Sequence, residues 1–226
     1  MRADSVSVAT GDAERVDAAG DPGTQARAGY RRSVGTPRGE ARRRELLDLV
    51  TDDLAANGLV GFSLRRAARA AGTTHKVLLY HFAGVDELLV EAVVRLRGRR
   101  ITDGLAAAVG APTLAGRVRA IWPVLVGEEA RVLDQAIGLA MYDPGRYAAL
   151  GHEASQQYLP ALLSLCPPGW AEDRRLQVAQ LVLATMRGFL VDARTSDGSA
   201  EGAAGFQAGF EALARALDRE EAAGGG

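Results

Sequence analysis

Residues 72–82 read GTTHKVLLYHF. This stretch holds His75 and His81, two of the three histidines, and Lys76, the only lysine in a chain that otherwise carries its positive charge on arginine. A short alanine-rich run, LRRAARAA at 64–71, stands directly before it. Gly72 can stop that first segment, and Thr73 and Thr74 have side-chain oxygens that can cap HKVLLYHF. Ser63 can cap the alanine-rich run in the same way, although Arg66 stands where a capping box would carry Glu. Two short helices separated by Ala71-Gly72-Thr73 fit a helix-turn-helix, whose second helix enters the major groove and presents its N-terminal residues to base edges. Thr74, His75, Lys76 and Val77 are then the readers. Lys76 can donate to guanine O6 or N7 or act as a point charge for phosphate, Thr74 can donate or accept, and Val77 offers an apolar contact to a thymine methyl. Leu78 and Phe82, four apart, face inward.

Working outward, Leu46, Leu49, Val50 and Leu54 recur at three- and four-residue spacing in a helix that starts near Gly39 and stops at Asn57-Gly58. Ala83-Gly84 separates HKVLLYHF from a fourth helix, VDELLVEAVVRLRGRR, with Asp86 and Glu87 in its first turn and arginines in its last, as the helix dipole favours. Beyond Pro112 the pattern predicts helices over about 113–127, 129–141, 144–165, 171–195 and 200–220, broken at Asp143-Pro144 and at Cys166-Pro167-Pro168-Gly169. Pro123 predicts a kink or a late start in the first of these. With no convincing strand alternation, the fold class is all-α. Leu176, Ala179, Leu183, Met186 and Leu190 form one seam, and Phe206, Phe210, Leu213 and Leu217 another. Val178, Val182 and Val191 make helix 171–195 apolar nearly all round. The expectation is an isologous four-helix interface between two subunits, with Phe210 inside it.

Of 226 residues, 47% are hydrophobic, enough for a sizeable core. Residues 1–36 contain no Leu, Ile, Phe or Trp and predict a disordered arm. Cys166, the single cysteine, leaves no intramolecular disulfide to form, and the first thirty residues lack the apolar run of a secretory signal, so a cytoplasmic protein is expected. The longest uncharged stretch, 154–171, is interrupted by glutamines and prolines, which argues against a membrane span. The net charge is −1, but residues 27–100 carry 15 Lys and Arg against 8 Asp and Glu, whereas residues 101–226 carry 10 against 15. One part only calls for a polyanion. Between 27 and 44, seven arginines, Arg27, Arg31, Arg32, Arg38, Arg42, Arg43 and Arg44, face one acid, Glu40. They form either a solvated arm or an extension that follows phosphates.

From Arg42 to Val94 the chain resembles the TetR family of bacterial transcriptional regulators, in NGLVGFSLRRAARAAGTTHKVLLYHFAGVDELL: a Gly after helix 1, Ser opening helix 2, Ala-Gly in the turn, an aromatic-rich end to the recognition helix, then an acidic-Leu-Leu start of helix 4. The resemblance implies a three-helix DNA-binding head over 37–100, a helical ligand-binding and dimerisation body over 101–226, and no catalysis. It places Arg65 where helix 2 often reaches DNA, and His75, Lys76 and Val77 on the base-reading turn. It puts Tyr80 and His81 at the end that touches phosphates, although the residues alone equally allow His81 to hydrogen-bond helix 1. Leu79 stands where the family most often has Tyr, and Val85 where a Lys commonly anchors phosphate. The implied partners are a palindromic double-stranded DNA, a second copy of the chain and a small apolar or amphipathic effector. Candidates to line its pocket are Trp122, Met141, Tyr142, Tyr158, Met186 and Phe189.

The resulting expectation is a ligand-released repressor. An activator, a regulator answering a protein partner, and a helical enzyme with a vestigial head are the alternatives. His152-Glu153 begins like a zinc-protease motif, but Gln156 stands at the second ligand position. Cys166 precedes two prolines and has no His or Asp near it in sequence to activate it. No catalytic constellation, metal or cofactor is expected.

Overall fold

The computed structural model describes residues 36–195 and 200–223. The arm, with Arg27, Arg31 and Arg32, lies outside them. Residues 36–40 and the described residues from 41 onward fall in separate units. In the first, the described part is the opening of a helix, where Thr36 Oγ1 accepts from the Gly39 N–H at 3.1 Å.

Nine α-helices are found among the described residues: α1 Pro37–Asn57, α2 Leu64–Ala70, α3 His75–His81, α4 Val85–Ala108, α5 Leu114–Val126, α6 Arg131–Tyr142, α7 Pro144–Leu165, α8 Glu172–Thr195 and α9 Ala200–Ala223, with a 3-10 turn at Glu128–Ala130. No strand occurs among them. α1 begins on a proline, whose fixed φ suits a first turn, and stops at Gly58, whose φ of +72° a side chain would resist. Its inward face is Leu46, Leu47, Val50, Thr51 and Leu54; Leu49 points out instead, at 38% exposure. Thr51 is tolerated inside because its hydroxyl donates to the Leu47 carbonyl at 2.7 Å.

α4 runs eight residues further than its sequence predicts. The cluster at 95–100 looks like a charged helix end, but Arg95 donates to Asp48, Arg99 pairs with Asp48 at 2.8 Å and with Asp52 at 2.5 Å, and Arg97 is 1% exposed. Tertiary partners thus carry the helix through its arginines. Gly104 faces Ile121, and a Cβ there would sit 3.7 Å from its side chain, in ordinary van der Waals contact. Asp143 and Pro144 open α7, the Asp side chain accepting from the Arg146 N–H at 3.1 Å. Pro123 and Pro160 both lie within helices, α5 and α7.

Two buried clusters form the core. One joins α1–α4 residues such as Leu46, Leu54, Leu78, Phe82 and Val93 to Val132, Leu133, Ala136 and Leu150 of α6 and α7. The other gathers Ala108, Leu114, Val118, Leu165, Val178, Met186, Phe210 and Leu217. α4 serves both, and its backbone passes unbroken through position 100.

Candidate nucleic-acid interface and internal cavity

The turn between α2 and α3 is built as its glycine requires. Gly72 has φ +57°, its N–H donates to the Arg69 carbonyl at 3.1 Å and the Thr73 N–H donates to the Ala68 carbonyl at 2.9 Å, the paired bonds of a Schellman end. Thr74 Oγ1 accepts from the Val77 N–H at 3.4 Å and starts α3 at His75. Ser63 caps α2, accepting from the Arg66 N–H at 3.2 Å. Arg66, in the position of a capping-box Glu, reaches back to α1: its guanidinium pairs with Asp53 at 2.7 Å and donates to the Val60 carbonyl at 3.0 Å. Leu78 and Phe82 are buried, at 0% and 2% exposure, as their spacing predicts.

These constraints leave the N-terminal turn of α3 facing outward. Thr74, His75 and Lys76 are exposed, and neither His75 nor Lys76 has an ion pair or hydrogen bond from its side chain among the described residues. Arg65 and Arg69, one turn apart on α2, are likewise exposed and unpaired. Val77 is half-buried and packs against the first core cluster, so only part of it is available to a base. Leu79 is half-exposed.

The other end of α3 is braced. Arg43 of α1 donates from Nε to the His81 carbonyl at 3.0 Å, pairs with Glu87 at 3.4 Å and with Glu91, and lies over the Phe82 ring, 4.5 Å from its centroid. Its hydrogen bond to Glu91 leads the effects that raise its pKa. Burial, then the charges of Arg43 and Arg42, holds the His81 imidazole below its ordinary pKa, and its Nδ1 is buried with no hydrogen-bond partner. His81 therefore meets α1 through its carbonyl. Tyr80 is half-buried and meets the His81 ring edge-on at 4.8 Å. Sequence reading left Arg43 to a solvated arm or a phosphate-following extension; the spacing of Glu87 and Glu91, one turn apart, was the signal of a bracket waiting for a cation.

Behind this head, α4, α5, α6, α7 and α8 line a partly open cavity of about 100 Å³. Of the pocket candidates, Tyr158 and Met186 line it. Trp122 and Phe189 do not: they join Phe206 and Phe210 in an aromatic cluster, with Trp122 stacked on Phe206 at 4.9 Å and edge-on to Phe189 at 6.3 Å. Met141 and Tyr142 are 79% and 88% exposed, because the last turn of α6 runs past the core before Asp143 ends it. The lining is leucine and isoleucine interrupted by Arg97, Arg100, Arg187, Asp134 and Tyr158. Sequence reading missed these arginines because a guanidinium in an apolar helix face looks like a surface residue.

The two seams also fall differently. Phe210, Leu213 and Leu217 are buried within their own chain, at 5%, 7% and 0% exposure, and Ala179 and Met186 are buried with them, while Leu183 and Leu190 line the cavity. Only Leu176 of the first seam reaches 36% exposure. A different stripe faces outward: Gln177, Leu181, Ala184, Gly188 and Val191 on α8, with Leu181 at 49% and Val191 at 60%, and Ala204, Ala208 and Ala212 on α9. An 18-residue stretch of α8, with a mean hydropathy of 1.2, is long and apolar enough by composition to cross a membrane, because the helix feeds core, cavity and outward stripe at once.

His152 pairs with Gln156 at 2.8 Å on an exposed helix face, and Cys166 is buried, its thiol pKa raised by desolvation. No group of three metal-ligating side chains is gathered among the described residues.

No protein-family model and no curated protein matches the chain. Solved structures do. A member of the TetR family from Streptomyces coelicolor A3 is 18% identical, with a TM-score of 0.55 over 78% of this chain and 98% of that one. A protein named a TetR-family transcriptional regulator, from Mesorhizobium loti, is 17% identical, with a TM-score of 0.57 over 80% and 97%. A multidrug binding protein, EbrR, solved with imidazole, is 18% identical, with a TM-score of 0.55 over 80% and 91%. At these identities the likeness is one of architecture, and the nine described helices of this chain have the fold of the TetR-family transcriptional regulators.

Proposed function

We propose that the chain is a dimeric, sequence-specific DNA-binding transcriptional regulator, a cytoplasmic repressor released by a small effector. One observation carries this reading: the only lysine and an unpaired histidine stand exposed on the first turn of α3, at the end of a rigid Schellman turn, with unpaired Arg65 and Arg69 on the preceding helix. A charged turn left without internal partners on a braced helix suits phosphate and base edges. In this reading residues 37–100 read DNA, and residues 101–226 hold the effector and the second subunit. The outward stripe of α8 and α9 supports the dimer, since small residues let helices from two subunits approach closely. The cavity supports the effector, and one protein of this fold is named a multidrug binding protein.

Selection of bound DNA from a random pool tests the reading. The expected product is a palindrome whose half-sites lie about one helical turn, roughly 34 Å, apart. Recovery of no enriched sequence would overturn it.

A further inference from the structure

Two guanidiniums in the cavity have no carboxylate. Arg97, at 1% exposure, donates to Gln157 Oε1 at 2.7 Å and to the Leu150 carbonyl at 3.2 Å, and its Nε has no partner at all. Arg187 reaches only the hydroxyl of Ser155, at 3.3 Å. Neither forms an ion pair with any described residue. Burial lowers the pKa of both, and the hydroxyl of Tyr158 works against that in each case, its ring lying 5.9 Å from the Arg97 guanidinium. Glu153 acts on Arg97 from beyond ion-pair distance. The one acid of the lining, Asp134, is held by Arg194 at 2.9 Å. Arg100, also in the lining, donates to the Val124 carbonyl. Buried charges are ordinarily paired, because removing an ion from water costs several kcal/mol, on the order of what a domain can spare. A buried guanidinium, Arg97, and a half-buried one, Arg187, without a carboxylate beside leucine, isoleucine and methionine describe a surface with one half of an ion pair missing.

We infer that the cavity takes an amphipathic anion, a carboxylate on an apolar body, with its head on Arg97 and Arg187 and its body against Ile101, Leu105, Leu162, Met186 and Leu190. This rests on the effector reading above and adds the sign and chemistry of the ligand. A neutral apolar molecule would leave both guanidiniums unmet, and a cation would be repelled by them. Arg97 is the fixed element, each of its terminal nitrogens donating one hydrogen bond to α7, while Arg187 approaches from α8.

Calorimetric titration of the full chain with decanoate, decan-1-ol and decyltrimethylammonium tests this, with release of the selected DNA followed in parallel. Decanoate is expected to bind at least about tenfold tighter than the alcohol, since hydrogen bonds to charged groups are the strong ones. The cation is expected not to compete. Arg187→Met is expected to lose the preference for decanoate over decan-1-ol while binding the alcohol as before, with its melting temperature as the check on folding. Equal affinity for acid and alcohol, an unchanged preference in Arg187→Met, or binding of none of the three would overturn the inference. If the alcohol or the cation binds and releases DNA while decanoate does neither, the anion is wrong and the effector reading stands. If decanoate binds through Arg187 yet DNA stays bound at saturation, the anion stands and the effector reading falls.

Discussion

At the scale of single residues, the same side-chain type does opposite work according to what lies beside it. Arg43 and Arg66 are exposed by less than a third and clamp α1 to the helices that follow, whereas Arg65 and Lys76 stand free. Replacing a clamp leaves an acceptor unmet, and replacing a free cation leaves the fold intact. Lys76→Ala and His75→Ala are therefore expected to keep the wild-type melting temperature and to weaken binding to the selected palindrome, by about 1–3 kcal/mol for each base edge that the side chain no longer meets. Wild-type affinity and base preference in both variants would show that α3 does not read DNA.

At the scale of elements, what decides a glycine's effect is its backbone angle. Gly72 sits at φ +57° with nothing within 4 Å of a built Cβ, so Gly72→Ala meets no clash and only the cost of the left-handed conformation, about 1–2 kcal/mol. Gly98 lies inside α4, also with open space around a Cβ, and Gly98→Ala is expected to stabilise by about 0.5–1 kcal/mol through helix propensity alone. Chemical denaturation should show the two midpoints moving in opposite directions. Two stabilising variants would mean that Gly72 does not close a Schellman turn.

At the scale of the whole molecule, the same contrast separates core from interface. Leu181→Glu places a carboxylate on the outward stripe of α8, and sedimentation should then show a folded monomer whose affinity for a full palindrome falls towards that for a half-site. Phe210→Glu places it among Trp122, Phe189 and Phe206 of the same chain, so circular dichroism should show the body destabilised before the oligomer dissociates. A Phe210→Glu protein that is stable and monomeric would return the subunit interface to the seam that the sequence spacing predicts.

Local chemistry by itself determined the helix-turn-helix. Ser63, Gly72 and Thr74 fix helix ends within a few residues of themselves, and Leu78 and Phe82 need only a helical period to face inward, so caps, turn and the exposed first turn of α3 were all legible in one short stretch. The prolines and glycines after residue 110 set the later helix boundaries by the same local rules. Contacts between distant residues decided the rest. α4 continues past Arg100 because Asp48 and Asp52, far away in sequence on α1, pair with its arginines. The seam of Phe206, Phe210, Leu213 and Leu217 has the spacing of a helix-packing face, but spacing does not say whether the neighbour belongs to the same chain; here α5 and α8 of that chain supply it. Arg97 and Arg187 carry no local mark at all. Only the packing of five helices takes water away from them and leaves them without a carboxylate, and that desolvation is a property of the folded interior.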